Sequence, residues 1–139
     1  MNLFKPKTKI VEVKGKKFRL GKLDARTASY LCLKAAAIVA PAFGKGGVNA
    51  KSLTKVLPTI PRAEFDEMQN TLLGTVVELN DVDGQLIPEP VLRDDGSFAK
   101  EEYAYDVTLV LTLTASALMF NIGDFFPAAG LIAKKAHLG

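Results

Sequence analysis

The sequence predicts a mainly α fold of the α+β class: a small helical domain with an N-terminal two-stranded β-hairpin. Three observations predict it. Residues 8–20 alternate in polarity around a glycine turn, later segments carry apolar residues at helical spacing, and residues 100–120 run without a turn for longer than an ordinary strand. The 139 residues, 48% of them hydrophobic, fit a single domain with one core over 1–139.

The first predicted element is the hairpin over residues 8–20. Its turn contains Lys14-Gly15, and glycine is favoured in such tight connections. Because two strands alone are marginal in water, the apolar face of the hairpin must rest on helices. That face is formed by Val11, Val13, Phe18 and Leu20.

Helices are predicted in five segments. Asp24 is the expected N-cap of the first, which Pro41 ends. Pro61 opens the third, since a first helical turn does not need the missing N–H, and Gly74 ends it. The predicted ranges are about 24–40, 49–57, 61–73, 100–120 and 127–135.

Two segments leave alternatives open. Residues 76–98 contain prolines, glycines and many acids, which predict a long acidic loop, with a weak hairpin from Val77 to Ile87 as the alternative. Residues 107–114 alternate as a strand does, but no turn comes before Asn121. We therefore interpret this segment as part of a mostly buried helix.

The net charge of +3 hides a segregation of the two signs. Residues 1–60 hold thirteen Lys or Arg against two acids, and residues 61–106 hold twelve acids against three basic residues. The acidic part can fold onto the basic part of the same chain, or it can attract a neighbouring copy and so form a homo-oligomer. A third explanation is that the basic and acidic parts form two solvated faces that bind no partner.

Membrane insertion and secretion are not expected. The longest apolar run, Val107–Phe120, is too short to span a bilayer, and residues 1–22 contain no apolar signal core. The single cysteine, Cys32, forms no internal disulfide, which suits a reducing compartment. We expect a cytoplasmic protein with no membrane partner.

Catalytic, metal and cofactor motifs are absent from the sequence. The only histidine, His137, lies near the C-terminus, and Cys32 falls on an apolar helical stripe typical of a core position. A calcium loop around Gly84 would need acids where Leu79 and Pro90 stand. The sequence therefore predicts a non-enzymatic protein without catalytic residues, metal or cofactor.

Nucleic-acid binding is an alternative that the basic hairpin suggests. Eight Lys or Arg between Lys5 and Lys22 could contact phosphates. Few aromatic residues accompany them, and the acidic segment that follows would repel a polyanion. Lysines that keep an edge strand from aggregating explain the pattern better, so we expect no nucleic-acid partner.

Both ends of the chain resemble the tail-assembly chaperones of long-tailed bacteriophages. The first part runs from Phe4 through the hairpin to Ala28, and the second is Asn121-Ile122-Gly123-Asp124-Phe125-Phe126, similar to the Asn-Phe-Gly-Asp-Phe-Phe endings of that family. The resemblance implies a non-enzymatic protein of the host cytoplasm. It implies that the protein binds the tape-measure protein, helps tail-tube subunits assemble around it, and is absent from the finished virion.

The contact surface for such partners is predicted from apolar residues that fall outside the main helical stripe. Packing of a partner helix on this surface would shield apolar stripes of the tape-measure protein. The predicted residues are Tyr30, Leu33 and Ala37 with Phe120, Phe125 and Phe126, and Lys16, Lys17 and Arg19 for electrostatic association. Core packing is the competing explanation for the apolar ones, and a strand at 107–114 would instead favour a structural tail component of the virion.

Overall fold

The structure is a computed structural model that describes residues 7–39 and 60–123, the side chains of 35–39 excepted. The described part contains a four-stranded antiparallel sheet of order β1-β2-β3-β4 and four helices. The strands are β1 (Thr8–Val13), β2 (Lys16–Gly21), β3 (Val76–Val82) and β4 (Gln85–Pro90), and the helices are α1 (Ala25–Val39), α2 (Arg62–Leu73), α3 (Glu101–Ala104) and α4 (Val107–Ile122).

The prediction of a mainly helical domain with an isolated two-stranded hairpin is wrong. Strand β2 pairs with β3, so the N-terminal hairpin is half of a four-stranded sheet. The predicted acidic loop is therefore also wrong over 76–90, where β3 and β4 form the hairpin that was the alternative. Its turn is Asp83-Gly84, with φ of 51° and 85°, as a two-residue type I′ connection requires.

Three helix boundaries follow local sequence signals. Asp24 caps α1, because its carboxylate accepts a hydrogen bond from the Thr27 N–H at 3.1 Å. Helix α2 follows Pro61, and Gly74 is its C-cap. The predicted helices at 49–57 and 127–135 lie outside the described residues.

The predicted helix over 100–120 is two helices. Its strand-like part, residues 107–114, is helical as interpreted, but the chain breaks between α3 and α4 at Tyr105 and Asp106. The Asp106 side chain accepts from the Leu109 N–H at 3.0 Å and so restarts the helix as an N-cap. An Asp inside a helix-length segment was the signal for this break.

The core lies between one face of the sheet, here called the inner face, and the helices. The predicted hairpin face packs there: Val13, Phe18 and Leu20 are buried, and Val11 is partly buried against them. Helix α4 is the central helix, because it contacts α1, α2, α3, β1 and β2. Its buried residues are Leu109, Leu113, Thr114, Ala115, Ala117, Leu118 and Ile122. The opposite, outer face of the sheet lies outside this core.

Asn121 joins the end of α4 to the connection between β2 and α1. Its Oδ1 accepts from the Leu23 N–H at 2.8 Å, and its Nδ2 donates to the carbonyls of Gly21 at 3.3 Å and Ala117 at 2.9 Å. This residue belongs to the C-terminal segment that carries the family resemblance. The amide thus fixes where α1 leaves the sheet.

The substitution Asn121→Ala is expected to lower the free energy of unfolding by about 1–3 kcal/mol, because it leaves partly buried backbone groups without partners. Urea denaturation of the purified protein measures this loss. The exposed Thr112→Ala, on the same helix, should change stability by less than about 0.5 kcal/mol. Equal stabilities for the two variants would contradict the bridging role of Asn121.

Candidate protein-binding surfaces

Helix α1 exposes two large apolar side chains on the side away from the core. Tyr30 is 52% and Leu33 69% exposed, whereas Leu31 and Cys32 between them are buried. Residues three apart are neighbours on a helix surface, so Tyr30 and Leu33 form one patch, here called the α1 patch. The Lys34 Nζ donates to the Tyr30 hydroxyl at 3.0 Å and borders the patch.

The core position of Cys32 agrees with its sequence assignment. The side chain is 8% exposed and belongs to the hydrophobic cluster. Burial raises the pKa of its thiol, so the reactive thiolate is disfavoured. Cys32 is therefore a packing residue of α1.

The other predicted apolar contacts are not brought onto the α1 patch by the described structure. Phe120 is partly buried against the core, and the Lys22 ammonium lies 4.2 Å from the centre of its ring while donating to the Phe120 carbonyl. Ala37 lies in the same helix, four residues after Leu33. Phe125 and Phe126 lie outside the described residues.

The predicted basic residues divide between the two faces of the sheet. Lys16 is on the inner side, where its Nζ is 2.8 Å from Glu102 Oε1 and 5.9 Å from the centre of the Tyr103 ring. Lys17 and Arg19 lie on the outer face, beside Leu79 and Val77 of β3. The three residues therefore do not form one electrostatic surface.

Some charges of the basic part of the chain pair with charges of the acidic part. The basic turn holds the acidic α3 segment through Lys14–Asp106 at 2.9 Å and Lys16–Glu102. A second group lies beneath α3: the Tyr103 hydroxyl donates to buried Glu78, and Lys100 is 3.6 Å from Glu78 and 3.4 Å from Glu89. Burial and the neighbouring Glu78 raise the pKa of Tyr103, so its hydroxyl remains a donor at neutral pH.

Two exposed apolar groups were not predicted from the sequence. One lies around the α3–α4 junction, where Tyr105 is 81% and Val107 71% exposed, with Leu111 one turn further on. The other consists of two separate residues on the outer face: Ile10 and Leu86 are each about half exposed, at opposite edges of the sheet. The spacing of Val107 and Leu111 was a usable signal, but the long apolar run that contains them suggested complete burial.

Lowering the pH below about 4 is expected to lower the midpoint of thermal unfolding. Hydrogen bonding to Lys14 and to the Leu109 N–H lowers the pKa of Asp106 from its ordinary 3.8. A carboxylate with a lowered folded pKa stabilises the fold above its unfolded pKa, and this contribution is lost as the pH falls through the folded value. Calorimetry between pH 7 and pH 2 measures the decline.

The matched variants are Asp106→Asn, which keeps a capping side chain but removes the charge, and Lys14→Met. Each variant should lose less of its unfolding temperature than the wild type does as the pH falls. The double variant should have the same pH dependence as Asp106→Asn alone. An acid decline that is unchanged in Asp106→Asn would show that this pair does not contribute to the pH dependence.

The described residues contain no group of His, Cys, Asp and Glu arranged to hold a metal ion. Across the same ranges, no helix is both long and apolar enough to cross a bilayer. What the described surface offers instead is exposed apolar side chains on helices and on a sheet edge. Contiguous exposed apolar surface commonly marks a site where another polypeptide binds.

Comparison with known families agrees with this interpretation. A family model described as phage tail assembly chaperone protein, TAC, matches residues 14–133. The chain therefore belongs to the phage tail assembly chaperone family, as the resemblance of its two ends indicated. No curated protein and no solved structure matches it. Membership in a chaperone family suggests a role through protein partners rather than through catalysis.

Proposed function

We propose that this protein binds the tape-measure protein during tail assembly and covers its apolar helical stripes until tail-tube subunits surround it. The observation that carries the proposal is the α1 patch. Tyr30 and Leu33 remain exposed on a helix whose opposite side is fixed in the core. A helix of the tape-measure protein can pack there with its own apolar stripe.

The energetics of such a contact are favourable at this patch. Full burial of one large apolar side chain contributes roughly 1.5–3 kcal/mol. At this patch the exposed parts of two side chains, 52% of Tyr30 and 69% of Leu33, remain to be buried. The rigid support from Leu31 and Cys32 reduces the ordering cost on binding. Ala37, four residues after Leu33, is proposed to belong to the same contact.

The tail-tube protein is the proposed second partner, because its subunits must replace the chaperone along the tape measure. Replacement requires non-covalent contacts that can be released, and we expect contacts of moderate affinity at this patch. The protein then acts in the host cytoplasm and does not remain in the mature virion. No bond is made or broken in this cycle, which agrees with a non-enzymatic role.

Co-expression with the tape-measure protein of the same phage tests this proposal. The tape-measure protein should stay soluble and co-purify with the chaperone, whereas it should aggregate when expressed alone. Purified virions analysed by mass spectrometry should lack the chain. A tape-measure protein that neither co-purifies nor gains solubility would overturn the proposal, and stoichiometric presence in virions would favour a structural tail component.

A further inference from the structure

The two edges of the sheet differ in their capacity to pair with another strand. The Val91 N–H bonds to the Val76 carbonyl, so the alternation of an antiparallel ladder directs the backbone of Leu86, Pro88 and Pro90 away from β3. Two of these three residues have no N–H to donate. The β4 edge is therefore blocked to further strand addition.

The β1 edge is open by the same test. The Lys22 N–H bonds to the Lys7 carbonyl at 3.1 Å, and the Lys14-Gly15 turn closes the hairpin at the pair Val13 and Lys16. The ladder alternation then directs the backbone N–H and C=O groups of Thr8, Ile10 and Glu12 away from β2. None of the three is proline, and the side chains of all three are exposed.

We propose that a second copy of this chain pairs with this edge, β1 against β1, antiparallel about a two-fold axis perpendicular to the sheet. That axis keeps the inner faces of both sheets on the same side. Residues whose backbone groups are directed away from β2 must therefore pair with the same kind of residue in the second copy. The matching register places Ile10 opposite Ile10 of the second copy and Thr8 opposite its Glu12. Each pair can exchange two N–H···O=C bonds, and the two four-stranded sheets become one continuous sheet.

The side chains of β1 favour this occupant. Ile10 is 57% exposed on the outer face and would cover its own counterpart, while the Thr8 hydroxyl can donate to the Glu12 carboxylate of the second copy. Lysines commonly protect open edges. In the proposed register Lys9 lies opposite Val11 of the second copy and so meets no like charge, and the outward-directed positions hold no lysine. The strand is thus complementary to itself in this register.

Molar mass in solution, measured by light scattering and sedimentation across the micromolar range, tests the pairing. The wild-type chain should form a concentration-dependent dimer. Ile10→Lys should weaken it about tenfold or more, because two like charges would then face each other. Leu86→Lys is the matched control: a similarly exposed aliphatic residue on the outer face of the blocked edge, expected to leave the dimer unchanged.

Cysteine cross-linking tests the register and does not depend on the stability of the lysine variant. Ile10→Cys should form a disulfide-linked dimer, since the two Cα atoms of a hydrogen-bonded pair lie about 5.5 Å apart. Thr8→Cys and Glu12→Cys should cross-link only when the two variants are mixed. Buried Cys32 remains in all of them.

Three results would overturn the proposal: a monomer at every concentration, equal weakening by Ile10→Lys and Leu86→Lys, or equal cross-linking by Glu12→Cys alone and Ile10→Cys. A monomer whose Ile10→Lys variant loses the tape-measure protein would show that the edge takes an extended segment of another protein instead. The pairing does not rest on the function proposed above, because the α1 patch takes no part in it.

Discussion

The double substitution Tyr30→Asp/Leu33→Asp is expected to lower the affinity for the tape-measure protein about a hundredfold or more. Both side chains are more than half exposed, so the folded state loses little packing when they are replaced. In the complex, however, each carboxylate would be buried against an apolar stripe without a partner charge, and truncating an interface anchor alone commonly costs more than 1 kcal/mol. Titration with a purified fragment of the tape-measure protein measures the change.

A matched control is available on another helix. Val107 is 71% exposed at the first position of α4, where an Asp is favourable for the helix, so Val107→Asp changes exposed apolar surface and charge without disturbing the fold. This variant should bind as the wild type does. Retained binding by the Tyr30/Leu33 variant together with lost binding by Val107→Asp would place the contact at the α3–α4 junction and not on α1.

Tyr103→Ala is expected to cause the largest loss of stability, roughly 3–5 kcal/mol in the free energy of unfolding. The ring is fully buried and meets Phe18 edge-on, with 6.4 Å between ring centres. Tyr103→Phe keeps the ring but removes the donor to buried Glu78, so it should cost about 1–3 kcal/mol. The difference between the two variants isolates the packing of the ring from its hydrogen bond.

Chemical denaturation followed by circular dichroism measures both values. Tyr105→Ala serves as the control, since this neighbouring tyrosine is 81% exposed and should contribute less than about 0.5 kcal/mol. A Tyr103→Phe variant as stable as the wild type would mean that Glu78 is satisfied by Lys100 without the tyrosine. A Tyr103→Ala variant that loses as little stability as Tyr105→Ala would contradict the position of α3 in the core.

Elements with strong local signals could be predicted from the sequence. The alternating polarity around Lys14-Gly15 gives the first hairpin, and the buried Phe18 and Leu20 confirm which face packs on helices. Asp24 before α1 and Pro61 before α2 are capping signals that act within one turn. Such signals depend on neighbours in sequence, and a single sequence contains them.

The sheet could not be predicted because it depends on pairing between distant segments. β3 and β4 carry acids and two prolines, which locally resemble a loop. Strand β3 is stabilised by Phe18 and Leu20 of β2, opposite Glu78 and Val76, about 60 residues away in the chain. The prolines are tolerated because β4 is an edge strand whose backbone at Pro88 and Pro90 is directed outward.

The exposure of two candidate residues could be predicted from the sequence, whereas their role in binding stays a prediction. Tyr30 and Leu33 fall outside the apolar stripe of α1, and the structure exposes both. Phe120 was predicted to be exposed for the same reason, but the ammonium group of Lys22 lies over its ring. Lys16 could not be distinguished from Lys17 by sequence, because only the position of α3 determines that Glu102 lies beside Lys16.

The central claim is that the exposed apolar side of α1 binds the tape-measure protein. Site-specific photocross-linking tests this claim most directly. A photoreactive benzoylphenylalanine in place of Leu33, in cells that assemble tails, should cross-link to the tape-measure protein. The same residue in place of Val82, which is 47% exposed on β3, should not. Cross-linking from position 82 with none from position 33 would contradict the account.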